Sequence, residues 1–157
     1  GRMSGFYFTD GHQHLDHDTQ QNHFAPRTTS DLLFKGALKG KSRSVWQGMI
    51  YVAPGAQKTD GYQANRNLVL SEEARADSIP GLEILADDVR CTHGATVGKL
   101  EQEPLFYLKS RGIPQAEAEK VVVEGFFDPI FQRIPFEGVR DRFQQYIADK
   151  MSQNGKN

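Results

Sequence analysis

A second cysteine is missing from this chain. Cys91 stands alone among 157 residues, which excludes an internal disulfide and fits a reducing compartment. Long apolar runs are missing too: no stretch approaches the roughly 18 to 20 residues that cross a bilayer as a helix. No basic segment followed by an apolar one opens the chain, so no secretory signal is read. The expected location is therefore the cytosol. An excess of one charge is also absent. The formal net charge is -1 and the sequence pI is near 6.6, so there is no broad attraction for nucleic acid or an anionic membrane. The basic run Lys35, Lys39, Lys41 and Arg43 is expected on a solvated rim.

What is present suffices for a core. Hydrophobic residues make up 38% of the chain and charged residues 25%, within the range of globular proteins. Before residue 100, short apolar runs recur: DLLFKGAL at 31 to 38, SVWQGMIYV at 44 to 52, NLVLS at 67 to 71 and GLEILADDVRC at 81 to 91. Their length and composition are those of strands, and Gly, Asn, Asp, Pro and Lys turns separate them. Alternation within them is poor. Trp46 and Ile50 occupy one parity while Val45, Met49 and Tyr51 occupy the other, which predicts strands covered on more than one side. Asp60-Gly61 is the best two-residue hairpin turn, but it lies between polar segments. A solenoid of stacked turns, in which apolar runs return irregularly between polar corners, accounts for the pattern better.

After residue 100 the pattern becomes helical. Glu101 and Glu103 place negative charge at a helix start, Leu105 and Leu108 share a face, and Gly112 follows Lys109 and Arg111 as a stop. Pro104 is expected at the first helical position and Pro114 in the first turn of a second helix. Ala118, Val121, Val122 and Phe126 form that helix's predicted apolar stripe, and Pro129 is expected to kink or end it. A third helix, from about Phe136 to Met151, is predicted to put Val139, Phe143, Tyr146 and Ile147 on one side, before a frayed tail, SQNGKN. Two parts follow: residues 1–99 as turns of a β-solenoid, and residues 100–157 as a helical subdomain.

Three clusters invite a chemical reading. His12, His14, Asp16 and His17 spell HxHxDH, the start of a two-metal hydrolase site. Such a site needs further downstream ligands and a larger two-layer fold, and only His23 and His93 remain. A metal-dependent hydrolase on these four residues is thus the rival reading; the plain one is a polar β-segment with His12, His14 and Asp16 facing one way. GATVGK at 94 to 99 is similar to a phosphate-binding loop, but its spacing is one residue short and Leu100 stands where Ser or Thr is required. The third cluster is CTHG at 91 to 94. On a strand, Cys91 and His93 leave one face, bringing a thiol and an imidazole together. Two ligands do not close a metal site, so a second chain or a bridging cluster would have to complete it.

At this point long motifs carry a resemblance. DHDTQQNHFAPRTTSDLLFKGALKGKSRSVWQGMIYV, AQKTDGYQANRNLVLS and LEILADDVRCTHGATVGKLEQEPLFYLKSRGI resemble the C-terminal half of the SufB/SufD family of iron-sulfur cluster assembly proteins. Cys91-Thr92-His93-Gly94-Ala95-Thr96 matches the SufD-type version of its strand. The resemblance implies a right-handed parallel β-helix followed by about three helices, in a non-catalytic scaffold subunit of the SufBCD complex. It implies SufB as partner through the β-helix and the ATPase SufC as partner through the helices, with Leu105, Phe106, Tyr107, Arg111 and Phe126 as candidate contacts. It makes His93, and secondarily Cys91, candidates for holding a nascent cluster at the SufB/SufD interface. No cofactor is expected on the chain by itself, only a transient cluster in the full complex. Open strand edges at the ends of a shortened solenoid also predict self-association.

Overall fold

The protein was analysed as a computed structural model, which describes residues 1–152. It divides into two compact units, Gly1–Gly98 and Lys99 onward.

The first unit contains seven strands: β1 (Arg2–Thr9), β2 (His14–His23), β3 (Thr29–Leu38), β4 (Arg43–Val52), β5 (Asp60–Val69), β6 (Arg75–Ile84) and β7 (Arg90–Lys99). Consecutive strands never pair. One sheet has the order β1-β3-β5-β7 and the other β2-β4-β6. The pairings β1 with β3, β3 with β5, β2 with β4 and β4 with β6 are all parallel. A chain that alternates between two parallel sheets is a stacked coil, so the solenoid reading holds. Arg2 pairs with Asp31, Thr29 with Asp60 and Arg43 with Arg75, an advance of about 30 residues per turn.

Corners repeat with the rungs. Gly11 and Gly40 occupy one corner at φ 59° and 65°, and a Cβ on Gly40 would stand 2.8 Å from the Gly11 nitrogen, so successive turns touch backbone to backbone there. At the opposite corner Arg27 and Lys58 both adopt φ 60°, with Arg27 N donating to the Gln57 carbonyl at 2.9 Å.

Between the sheets, β4 buries Ser44, Trp46, Gly48, Ile50 and Val52 in strict alternation. In β3 the burial does not alternate: Leu32, Leu33, Lys35, Gly36, Ala37 and Leu38 are all buried, as coverage on both faces requires. Lys35 is 4% exposed, so the predicted solvated rim keeps Lys39, Lys41 and Arg43 but loses Lys35, which the parity of β3 carries into a covered face. The predicted strand at 67 to 71 begins earlier, at Asp60, because its first half turns Gln63 and Asn65 inward and so carries no apolar signal. The run at 81 to 91 is cut by a turn: β6 ends at Ile84 and β7 begins at Arg90.

The second unit has three helices, α1 (Gln102–Ser110), α2 (Gln115–Phe131) and α3 (Glu137–Ser152). α1 packs on α2 and α2 on α3. Gly112, at φ 86°, ends α1 as predicted. Pro104 is the third helical residue and not the first, still within the turn whose amides have no helical acceptor. Pro114 caps α2 from outside, its carbonyl accepting from Ala118 N at 2.9 Å. Pro129 neither stops α2 at once nor shortens it to the preceding residue; the helix ends at Phe131.

Two predicted stripes need correction. α2 buries Ala118, Val123, Phe127, Ile130 and Phe131, while Val121 is exposed. α3 buries Ile147 and Met151 and leaves Val139, Phe143 and Tyr146 exposed. Both helices carry apolar residues on more than one face, so periodicity alone does not choose the buried face. No described helix is long and apolar enough to cross a membrane. The predicted tail, apart from Ser152, lies outside the described residues.

Candidate functional site

Strand β7 carries the candidate pair. It borders β5, and Arg90 N donates to the Thr59 carbonyl at 2.8 Å. Cys91 turns inward: its Sγ lies 3.2 Å from where a Cβ on Gly61 would stand, and it packs against the Ile50, Val52 and Ala56 cluster. Burial pushes the thiol's pKa up, a backbone hydrogen bond from Gly61 opposes this, and the nearby Asp60 charge adds to the rise. Cys91 is therefore a weak thiolate donor at neutral pH. His93, two residues on, leaves the same face of the strand and is exposed. The pair thus consists of a shielded thiol and an accessible imidazole at the end of the coil.

The other histidines disperse. His12 lies in the turn before β2; His14 and Asp16 lie on the exposed side of β2. His17 lies on the opposite side, stacked on Tyr7 with ring centroids 4.7 Å apart, and burial lowers its pKa. A strand therefore splits the HxHxDH set between its two faces. Among the described residues no group of three or more His, Cys, Asp or Glu side chains could hold a metal ion, so the hydrolase reading is not favoured. His23 is held in the fold, its Nδ1 2.6 Å from Thr28 Oγ1 and its Nε2 2.8 Å from Ser30 Oγ. The phosphate-loop lookalike at 94 to 99 is extended strand, without the wrapped amides that a phosphate requires.

Of the candidate contacts on the helices, Phe106 and Tyr107 are exposed, at 74% and 57%, and Arg111 lies over the Tyr107 ring at 5.3 Å. Phe126 is half-buried with its ring 5.1 Å from that of Phe127. Leu105 is 4% exposed, so it anchors α1 and offers nothing outward. Val139, Phe143 and Tyr146, predicted to share one side of the third helix with Ile147, are exposed along α3, as is Phe136 just before it.

The coil interior, by contrast, is polar where a core of apolar residues is the usual solution. Gln63, Asn65 and Asn67 are buried on the inward face of β5, and Tyr7 Oη donates to Asn67 Oδ1 at 2.5 Å. Their spacing at i, i+2 and i+4 was the available signal; their polarity concealed it.

A family model described as "SUF system FeS cluster assembly, SufBD core domain" matches residues 1–126. The chain belongs to this family. Among its SufBD relatives, a protein of Mycobacterium tuberculosis named as an iron-sulfur cluster assembly SufBD family protein is 41% identical over 157 residues, covering 95% of this chain and 40% of the relative. SufD of Escherichia coli is 40% identical over 119 residues, 76% of this chain and 28% of that protein. SufD of Bacillus subtilis is 38% identical over 141 residues, 90% of this chain and 32% of that protein. The chain thus spans well under half the length of these SufBD relatives.

Proposed function

We propose that this chain is the C-terminal part of a SufD-type scaffold subunit that helps assemble a nascent iron-sulfur cluster. The observation that carries the proposal is His93, exposed on the last strand of a coil belonging to the SufBD family. Neutral imidazole binds iron and gives it up more readily than a full thiolate set, as a scaffold that must release its product requires. His93 is therefore the principal donor and Cys91, shielded and weakly acidic, the lesser one. The remaining ligands come from a SufB-type partner set against the end of the coil. The SufC-type ATPase docks on the helical unit through Phe106, Tyr107 and Arg111, and its nucleotide cycle selects between two arrangements of the complex. The chain performs no catalysis of its own in this scheme.

The test is co-expression of the full-length subunit with SufB- and SufC-type chains. His93→Ala is expected to reduce iron and acid-labile sulfide on the purified complex to near background while leaving its subunit composition unchanged. Cys91→Ser is expected to have a smaller effect. Tyr107→Ala is expected to weaken retention of the ATPase. Unchanged iron and sulfide in His93→Ala would overturn the role given to that histidine.

A further inference from the structure

The sequence TDGxQ occurs twice, as Thr9-Asp10-Gly11-His12-Gln13 and as Thr59-Asp60-Gly61-Tyr62-Gln63. The fold puts the two copies in different structures. Asp10 and Gly11 lie at the turn between β1 and β2, with Gly11 exposed and at φ 59°. The peptide group between them bonds locally: the Asp10 carbonyl accepts from Gln13 N at 3.2 Å, and Gly11 N donates to Asp10 Oδ1 at 2.7 Å. That second bond holds the amide nitrogen beside the carboxyl group of the preceding residue. Asp60 and Gly61 instead begin β5. Asp60 N donates to the Thr28 carbonyl at 2.9 Å, Gly61 is buried in register with Ser30, and the Asp60 carboxylate faces Arg90 at 3.7 Å.

Nearness of a carboxyl group to the next amide nitrogen has a covalent consequence when that next residue is glycine, whose missing side chain leaves the nitrogen unhindered. The Gly11 nitrogen bonds to the side-chain carboxyl carbon of Asp10, and the amide proton and the carboxyl hydroxyl leave as water. A second water then reopens the cyclic imide. Attack at the main-chain carbonyl breaks its bond to the Gly11 nitrogen and leaves the chain running through the side chain, as isoaspartate; attack at the other carbonyl restores aspartate. Water is the only co-reactant. Ring closure rotates the peptide group out of its starting plane. At Asp10 this costs the local bonds of a turn, whereas at Asp60 it pulls a buried amide out of the ladder between β3 and β5.

We infer that Asp10-Gly11 is a site of spontaneous isomerisation to isoaspartate in the folded protein, and that its strand protects Asp60-Gly61. The product carries one more carbon in the main chain, between the Thr9 and Gly11 carbonyls that accept from Lys39 N at 2.9 Å and Lys41 N at 2.8 Å. The modification therefore loosens the corner that ties the first turn of the coil to the second.

The test is incubation of the folded chain in water labelled with heavy oxygen, beside the same chain unfolded in urea, followed by mass spectrometry of tryptic peptides. Cleavage after Lys58 and Arg66 separates Asp60 from Asp10, and fragmentation assigns the label within each peptide. In urea both sites are expected to gain label, because the local sequence is shared. In the folded chain the ratio of label at Asp10 to label at Asp60 is expected to rise several-fold above its value in urea, and the Asp10 peptide is expected to accept a methyl group from an isoaspartyl-specific methyltransferase. A ratio no higher than in urea, or no label at Asp10 after a time that labels both sites in urea, would overturn the inference.

Discussion

Cys91 occupies the space that Gly61 leaves on the neighbouring strand, its Sγ 3.2 Å from the position of a Cβ at residue 61. Glycine at 61 and cysteine at 91 are thus one packing unit. Gly61→Val is expected to overpack this contact and destabilise the coil by about 1 to 3 kcal/mol in urea unfolding. Because burial raises the thiol's pKa, alkylation of Cys91 by iodoacetamide at pH 7 is expected to be slower than that of a free thiol. Its rate is expected to keep rising with pH beyond the ordinary thiol value of about 8.5. A rate equal to that of an unstructured cysteine would contradict the packing.

A buried histidine, His23, and a half-buried one, His17, give a second prediction. Burial lowers the pKa of His23, with the N-terminal charge adding to the effect, and burial lowers that of His17 against the opposing pull of Asp16. The unfolded chain takes up these protons as pH falls through about 6.5, whereas the folded chain resists them to lower pH. Stability is therefore full above about pH 6.5 and is lost as pH falls from there through the folded values. The urea midpoint is expected to be lower at pH 5.5 than at pH 7.5. His17→Phe, which keeps the stack on Tyr7, is expected to flatten that dependence.

Tyr7 bonds into the polar interior of the coil through Asn67. Tyr7→Phe keeps the ring against His17 but deprives Asn67 Oδ1 of its 2.5 Å donor. The expected loss is about 1 to 2 kcal/mol, read from denaturant unfolding. Burial also raises the phenol's pKa, against the opposing pull of the polar side chains of Ser44, Asn65 and Asn67. Its phenolate absorbance is accordingly expected to appear only above the ordinary phenol value of about 10.

Lys58 is exposed and sits at φ 60°, a left-handed conformation that a lysine adopts at some expense. Lys58→Gly is expected to change stability by less than about 1 kcal/mol, since the glycine fits the backbone but loosens the unfolded chain. Lys58→Val is expected to cost about 1 to 3 kcal/mol, because a branched Cβ is crowded there. Equal midpoints for the two variants would show that the corner relaxes.

The coil was legible from particular runs. SVWQGMIYV forms β4 almost residue for residue, with Trp46, Ile50 and Val52 buried on one face and Val45, Met49 and Tyr51 half-exposed on the other. The polar strands were harder to read. β2, with HLDHDTQQNH, and the first half of β5 lack the apolar alternation that marks a strand, because inside this coil Asn, Gln, Ser and His replace part of the hydrocarbon. The same polarity made HxHxDH look like a ligand set, when strand geometry sends its members to opposite faces. In the helices, Gly112 located the end of α1 and Pro114 the start of α2, whereas the buried faces of α2 and α3 were misjudged because apolar residues surround both.

By itself the chain's order of residues determined what depends on neighbours close in sequence: strand lengths, glycine corners, helix ends and the Cys91 and His93 pair two residues apart. Only the tertiary structure decided that Cys91 is shielded and His93 open, that Lys35 is covered and that Trp46 meets Gln63. Those contacts join residues up to a whole turn of the coil apart, and local propensity carries no information about which side chains the stacking of rungs brings face to face.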